Sequence, residues 1–333
     1  MMEIECSACK MRYRVKDDFI PNGKIMKLIC KSCKSTIIID FKQQMAATAQ
    51  PNNNSSGTLK KRIIKSIKDL PLVPQVVIEI QNRLSQMNVN LPEVAQMIET
   101  DPGITLKVLR VANSAYYGAS GKTSTIMQAC VRLGLKGLSE VVILAGTEKV
   151  LSGKLPGYGY DAGELWRHSL AVAYGSKILA QMRDPSLSSA AYTAGLIHDI
   201  GRIILDPYIG EQKKTIEDYM EKKQKTFLDA EIEHFNFSHA EVASEVCEAW
   251  KFPELMSKAI NWHHNPAGSD GDQLSYILHL ADHLSLMGGV GYDDDDILNE
   301  AQKETMSFLQ LKQADISDIT FKIIESVNKI GMS

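Results

Sequence analysis

A histidine and an aspartate stand side by side in a strongly apolar stretch of this chain. The run AYTAGLIHDIGRIIL has three strongly polar members, which are His198, Asp199 and Arg202. Buried charge costs free energy unless it is paired or bound to a metal ion. All eight histidines of the chain fall between His168 and His283. This clustering predicts a metal site centred on His198 and Asp199.

Other histidines and carboxylates lie where helical spacing turns them inward. Glu164 and His168 are four residues apart, so they share one face of a predicted helix. Ser238 begins a predicted capping box, which places His239 in the first helical turn, where we expect a neutral imidazole. The sequence thus supplies eight predicted ligands for this site: Glu164, His168, His198, Asp199, His239, His263, His264 and Asp282.

The predicted ligands combine imidazole nitrogens with carboxylate oxygens. Such a mixed set suits iron or manganese, with zinc as an alternative. The set exceeds what one ion uses, so we predict two ions bridged by Asp199. Two ions about 3.5–4 Å apart can share a hydroxide that attacks a phosphate ester. Asp199 and Arg202 are therefore the candidate catalytic residues, because a guanidinium can form a bidentate contact with phosphate.

A second group of potential ligands opens the chain. The pairs Cys6-x-x-Cys9 and Cys30-x-x-Cys33 offer four thiolates, which complete a tetrahedral zinc site. The segments MRYRV and STIIID predict short strands, so residues 1–41 are predicted to form a small β zinc ribbon that depends on zinc to fold. Partner binding is the favoured role. DNA binding is the alternative, and it is disfavoured because the few basic residues alternate with acids.

Composition restricts the function classes. The chain has 333 residues, of which 44% are hydrophobic and 23% charged, and its formal net charge is −3. It therefore reads as globular, without the overall basic field that attracts nucleic acid. The sequence shows neither a signal peptide nor an apolar run near the roughly 20 residues that span a bilayer. We expect a cytoplasmic protein with no membrane partner, whose CxxC pairs bind metal rather than form disulfides.

Beyond the cysteines, the chain is predicted to be mainly α-helical. Residues 42–58 are rich in Gln, Asn, Ser and Ala, which is typical of a flexible linker. Apolar residues then recur at helical spacing. The segment LSGKLPGYGYD, with its Gly and Pro residues, predicts a loop between two helical lobes. We place the first lobe at 59–153 and the second, with the metal site, at 154–333.

Several separated motifs together resemble the HDOD domain, a variant of the HD phosphohydrolase superfamily. They are LPLVPQVVIEI, DPGITLKVLRVANSAYYG, ACVRLGLKGL, WRHS, GLIHDIGR and INWHH, across about residues 65–285. The resemblance implies a two-lobed, all-helical HDOD fold of the kind found in bacterial signalling proteins. It also implies that four residues match the ligand core of HD enzymes, namely His168, His198, Asp199 and Asp282.

The remaining predicted ligands are similar to those of the HD-GYP branch, which opens cyclic di-GMP. The GYP signature is missing after His263-His264, where NPAGSD stands, and Arg202 replaces the usual lysine. The expected function is therefore a regulatory, ligand-binding signalling module that retains its metal site. Its expected partners are signalling proteins and a nucleotide or cyclic dinucleotide. The alternative is an active phosphodiesterase on such a nucleotide, and the oligomeric state stays open.

Overall fold

The computed structural model describes most of the chain after residue 72. Described are the strand backbones 2–5, 12–15, 25–29 and 36–40, the single positions 33, 63 and 73, and residues 74–86, 88–117, 122–291 and 300–331. Two compact units divide the chain, one over residues 1–59 and one over residues 60–333. The predicted boundary between two lobes near residue 153 thus lies inside the second unit. Within the described part, no helix combines the length and apolar character that a membrane crossing needs.

Two antiparallel hairpins form the described part of the first unit. Strand β1 (Met2–Glu5) pairs with β2 (Arg12–Val15), and β3 (Ile25–Ile29) pairs with β4 (Thr36–Asp40). Strands β2 and β4 confirm the strands predicted over MRYRV and STIIID. In sequence, each CxxC pair falls in the connection of one hairpin. Three of the cysteines lie outside the described residues, and Cys33 is exposed, so the zinc ribbon stays a prediction.

The first half of the second unit is helical, as predicted. Asp101 begins one helix by accepting hydrogen bonds from the N–H groups of Gly103 and Ile104, while Pro102 takes the first helical position. Gly134 has φ +64° and kinks the longest of these helices. The helices are α1 (Gln75–Leu84), α2 (Leu91–Glu99), α3 (Pro102–Ala112) and α4 (Ile126–Leu151).

The second half surrounds one long buried helix. This helix, α5 (Glu164–Arg183), carries small and apolar residues on nearly every side, which is typical of a helix enclosed by others. It contacts α6, α12 and α14. The helices that follow α5 are α6 (Ser188–Ile197), α7 (Ile200–Glu211), α8 (Lys213–Lys223), α9 (Phe227–Phe235), α10 (His239–Ala249), α11 (Glu254–Asn261), α12 (Gln273–Met287), α13 (Glu300–Phe308) and α14 (Gln313–Gly331).

A glycine lets helices α5 and α6 approach closely. A Cβ atom on Gly195 would lie 2.8 Å from the Cα atom of Ala173 and 2.8 Å from the carbonyl oxygen of Val172. Helix α6 can therefore pack directly on the backbone of α5 only without a side chain there. Because His198 follows Gly195 by three residues, this contact brings it beside His168 of α5.

Candidate metal centre

Side chains from distant parts of the chain converge in the interior of the second half. They come from α5, α10 and α12, from the end of α6 and from the segment after α11. Three groups of potential ligands have their donor atoms within 4.8 Å of one another: His168–His198–Asp282, His198–Asp199–His263 and His239–His263–His264. All of these residues except His264, which is half-buried, are at most 5% exposed. The structure therefore brings together seven of the eight ligands predicted from the sequence.

The first group joins α5, the end of α6 and α12. Nε2 of His168 lies 3.0 Å from Oδ1 of Asp282, and Nε2 of His198 lies 3.9 Å from the same oxygen. Each ring is oriented by its other nitrogen. Nδ1 of His168 donates to the carbonyl of Val290 at 3.1 Å, and Nδ1 of His198 donates to the carbonyl of Gly195 at 2.8 Å. The Nε2 atoms of both rings therefore face the centre.

The third group, His239–His263–His264, joins α10 with the segment after α11. Nδ1 of His263 donates to the carbonyl of Ile260 at 2.6 Å, which leaves its Nε2 as the acceptor nitrogen. Nε2 of His239 lies 2.8 Å from Nε2 of His264. The Nε2 atoms of His263 and His198 are buried and have no hydrogen-bond partner. Buried polar atoms without partners are uncommon in folded proteins, so these nitrogens, which lie within the ligand groups, are available to a metal ion.

Asp199 belongs to the remaining group, His198–Asp199–His263, and lies between the other two groups. Its Oδ2 atom is 3.7 Å from Nε2 of His198 and 3.9 Å from Nε2 of His168. Its Oδ1 atom is 3.2 Å from Nε2 of His239 and 4.0 Å from Nε2 of His263. Each oxygen of this carboxylate thus faces a different set of imidazoles, which is the arrangement that a bridging ligand requires.

Arg202 is buried beside this carboxylate. Its Nε atom lies 2.8 Å from Oδ2 of Asp199, and its guanidinium carbon lies 5.3 Å from the ring centroid of Tyr158 and 5.8 Å from that of Tyr160. Burial alone would raise the pKa of Asp199, but Arg202 and the histidines outweigh it and hold that pKa well below its ordinary value. Arg202 therefore keeps Asp199 ionised.

Glu231 is a member of the centre that the sequence analysis missed. Its Oε2 atom accepts hydrogen bonds from the backbone N–H of His239 at 2.7 Å and from Nδ1 of the same ring at 2.8 Å. The hydroxyl of Tyr158 donates to Oε1 at 2.6 Å. A carboxylate behind an imidazole fixes the ring so that the other nitrogen can bind metal. Glu231 precedes His239 by eight residues on a separate helix, so spacing gave no signal.

The pKa of His239 is governed by nearby carboxylates as well as by burial. Burial alone lowers its pKa, but the carboxylates of Glu231 and Asp199 raise the pKa to about 9. Asp282 and Asp199 likewise raise the pKa of His168 to about 9 against the effect of burial. The neutral His239 expected for metal binding therefore requires that the imidazole give up its second proton when a metal ion binds.

Glu164 is the predicted ligand that the structure places elsewhere. It occupies the first position of α5 and is half-buried, and its Oε2 atom accepts a hydrogen bond from the backbone N–H of Asp161 at 2.6 Å. Backbone N–H groups near the start of a helix lack partners within the helix, so a nearby carboxylate turns towards them. Glu164 thus shares a helix with His168 but lies outside the three ligand groups.

Helices α7 and α10 meet at a second glycine. A Cβ atom on Gly201 would overlap the backbone carbonyl of His239 and would lie 3.0 Å from the backbone nitrogen of Ala243. This contact sets how closely His239 approaches Asp199, which precedes Gly201 by two residues. The HDIG motif therefore positions the centre through its glycine as well as through its ligands.

Comparison with known proteins agrees with this fold. The sequence profile of the HDOD domain matches residues 70–266, which is more than half of the chain. The chain belongs to the HDOD domain family. The matched region ends before Asp282 and Val290, so α12 and the turn after it complete the first ligand group outside that region.

Solved structures share the HDOD fold across most of the chain. An HDOD domain protein of unknown function from Geobacter sulfurreducens is 25% identical, with a TM-score of 0.67, and the match covers 83% of this chain and 96% of that one. A provisionally named phosphohydrolase from Shewanella amazonensis SB2B is 22% identical, with a TM-score of 0.64, over 81% of this chain and 97% of that one. These matches confirm the predicted all-helical HDOD fold.

Two further relatives extend the comparison. A provisionally named signal transduction protein from Marinobacter aquaeolei VT8 is 18% identical, with a TM-score of 0.64, over 92% of this chain and 75% of that one. An uncharacterized protein of Treponema pallidum (strain Nichols) is 23% identical over 234 residues. That match covers 69% of this chain but 45% of the relative, so the HDOD chain spans less than half of that protein.

Proposed function

We propose that this HDOD protein is a bacterial signal-transduction module whose helical unit holds two metal ions for regulation or ligand sensing. The observation that carries the proposal is the pair of buried, unpartnered Nε2 atoms of His198 and His263. Their Nδ1 protons are committed to backbone carbonyls, so a metal ion is the partner that fits both lone pairs.

The ligand geometry supports two ions rather than one. One position is formed by His168, His198 and Asp282, and the other by His239, His263 and His264. Asp199 has one oxygen near each set of imidazoles, so it would hold both ions if two are bound. Nitrogen and oxygen donors without thiolate favour iron or manganese at these positions. When bound, the ions replace the charge of the protons on His168 and His239.

Burial supports a regulatory role over a catalytic one. Six of the seven ligands are at most 5% exposed. A hydrolase must bring the scissile phosphate within contact distance of a metal-bound hydroxide, which requires an opening at the ligands. The name of the Marinobacter relative points to signal transduction as well. The enclosed centre suits a structural or sensory ion pair, and signalling proteins are the proposed partners.

The second candidate function is metal-dependent hydrolysis of a nucleotide or cyclic dinucleotide. A bridging Asp199 with Arg202 at 2.8 Å favours it, because a two-ion site with an adjacent cation is what phosphoryl transfer uses. The Shewanella relative carries a phosphohydrolase name. In this candidate function, Asp199 and Arg202 take the catalytic roles.

We also propose a zinc ion at the N-terminus. The two CxxC pairs fall in sequence at the connections of the two described hairpins, where four thiolates would complete a tetrahedral site. The proposed ligands are Cys6, Cys9, Cys30 and Cys33. The zinc would stabilise a unit too small for a large core, and that unit would bind a partner protein.

Metal analysis of the full-length protein tests these proposals together. We expect one zinc and two iron or manganese ions per chain. Asp199→Ala should lose iron or manganese and keep zinc, whereas Cys6→Ser should do the reverse. Asp218→Ala, which removes an exposed carboxylate of α8, is the control that should keep all metals. A folded protein without iron or manganese would refute the centre.

An activity screen then separates the two candidate functions. The metal-loaded protein is assayed with cyclic dinucleotides and nucleotide phosphodiesters, with and without added Mn²⁺. The regulatory proposal expects no turnover while the metals stay bound. Turnover that disappears in Asp199→Ala, with α-helical content retained, would establish the hydrolase instead.

A further inference from the structure

A groove separate from the metal centre runs between the two halves of the helical unit. One wall comes from α1 and α4, and the other from the start of α6 and the turn that joins α10 to α11. Its cavity measures about 330 Å³, and the residues that define it here are Gln81, Lys136, Thr193, Lys251, Phe252 and Met256. This α4–α6 groove contains none of the residues of the three ligand groups.

Two exposed lysines line opposite walls of the groove. Lys136 belongs to α4 on one wall, and Lys251 belongs to the turn on the other. Neither makes an ion pair with a described residue. Glu140, one turn after Lys136, is held by Lys177 at 2.6 Å instead. Among the described residues that line the groove there is no Asp or Glu, so Lys136 and Lys251 are its charged lining, and Glu140 outside the groove adds a weaker attraction to Lys136.

The floor of the groove is polar and fixed. Gln81 of α1 donates to the carbonyl of Ser139 at 2.6 Å and accepts from the hydroxyl of the same residue at 2.5 Å. Thr193 of α6 is 5% exposed, and its hydroxyl makes no hydrogen bond with a described residue. Ser189 lies one turn earlier, at the positive end of the helix dipole of α6. These groups can donate to an anion that the lysines attract.

The remaining lining is apolar. Phe252 and Pro253 follow Lys251 in the turn, Met256 is buried behind them, and Leu135 is 42% exposed on the opposite wall. An apolar surface next to paired cations fits a ligand with one anionic end and one apolar end.

We propose that the α4–α6 groove binds a small phosphate monoester that carries a flat apolar group, of the size of a nucleoside monophosphate. Two lysine ammonium groups match the roughly two negative charges of a phosphate monoester near neutral pH. The cavity volume is at the lower end of the range for small-molecule sites, so it accommodates one such molecule. The apolar group would lie between Phe252 and Leu135.

Calorimetric titration of the full-length protein tests this site with three probes, which are adenosine 5′-monophosphate, adenosine and inorganic phosphate. We expect the monophosphate to bind at least tenfold more tightly than either of the others. Equal affinity for inorganic phosphate would overturn the ligand class, because it would show that the apolar wall contributes nothing. Absence of binding by all three probes would overturn the site.

Charge-reversal variants locate the binding. Lys136→Glu and Lys251→Glu should each weaken the monophosphate at least tenfold, whereas Lys214→Glu, at an exposed position on α8, should leave it unchanged. Leu135→Gln should weaken the monophosphate without changing the affinity for inorganic phosphate. Unaltered binding in the double variant Lys136→Glu/Lys251→Glu would refute the site. Its metal content reports separately on the centre, because none of the ligands is changed.

Discussion

Two buried clusters of charged side chains within residues 60–333 differ in whether their polar groups have partners within the protein. In the first, Glu140 of α4 binds Lys177 of α5 at 2.6 Å and lies 3.4 Å from the hydroxyl of Tyr117. The ammonium of Lys177 also lies over the rings of Tyr116 and Tyr192, at 5.8 and 5.7 Å from their centroids. Every charge in this tyrosine cluster has a partner within the protein.

In the second cluster, the candidate metal centre, two imidazole nitrogens lack hydrogen-bond partners. The Nε2 atoms of His198 and His263 accept no hydrogen bond, although both rings are fully buried. Their orientation is set from behind by backbone carbonyls. Burial of charge is therefore common to both clusters and does not identify a site. The two clusters differ in their unused lone pairs. In the candidate metal centre these lone pairs point to a common position for a ligand, whereas the cluster around Glu140 and Lys177 joins helices.

The largest expected difference between the clusters is in metal content. Asp199→Asn should remove both iron or manganese ions, because one carboxylate serves both positions. Glu140→Gln removes an equally buried carboxylate and should leave the metal content unchanged. The measurement is elemental analysis of the two purified variants. Equal metal loss in both variants would show that the two clusters do not differ in metal binding.

The next largest effect should appear in stability. Lys177→Met leaves the buried Glu140 without its cation, and such a change costs about 3–5 kcal/mol. Urea unfolding of the chelator-treated proteins measures it, so that bound metal does not contribute. Lys322→Met, at an exposed pair with Asp318, is the control and should cost less than about 1 kcal/mol. A similar loss of unfolding free energy in the two variants would show that the Glu140–Lys177 pair contributes little to holding α4 against α5.

A smaller effect is expected from the residue behind His239. Glu231→Gln should weaken metal binding by about 10–100-fold, because the ring loses the carboxylate that orients it. Glu233→Gln, two residues along the same helix and exposed, should leave the affinity unchanged. Competition with a chelator of known affinity gives the comparison. An unchanged affinity in Glu231→Gln would remove Glu231 from the centre.

The smallest effect concerns pH and Glu140. Burial raises the pKa of Glu140, while Lys177 opposes that rise without cancelling it. Between the ordinary value and the raised one, the folded protein binds this proton more readily than the unfolded chain does. The contribution of Glu140 to stability should therefore increase as pH falls through that interval. The difference in unfolding free energy between the wild type and Glu140→Gln, followed against pH, should show this sign, and the opposite slope would contradict it.

The sequence predicted those parts of the centre that residue type reveals. An adjacent His-Asp pair in an apolar run selected His198 and Asp199, helical spacing of apolar residues indicated the helical fold, and the resemblance to the HD superfamily added His168 and Asp282. Glu231 was missed because its contact with His239 arises from the packing of α9 against the start of α10, which no spacing encodes. Glu164 lies outside the three ligand groups because helical periodicity gives the face of a residue but not the hydrogen bond that its carboxylate makes, and its role as a ligand stays a prediction.

A substitution at Gly201 should affect one part of the centre more than the other. A methyl group at that position would press on the backbone of His239, so α10 would have to retreat. Helix α10 carries a ligand for one ion position and none for the other, which is built from α5, α6 and α12. If the centre holds the two proposed ions, alanine at position 201 would thus remove one of them while every ligating residue stays in the sequence. Counting ligands along related chains would then overstate how many ions they hold.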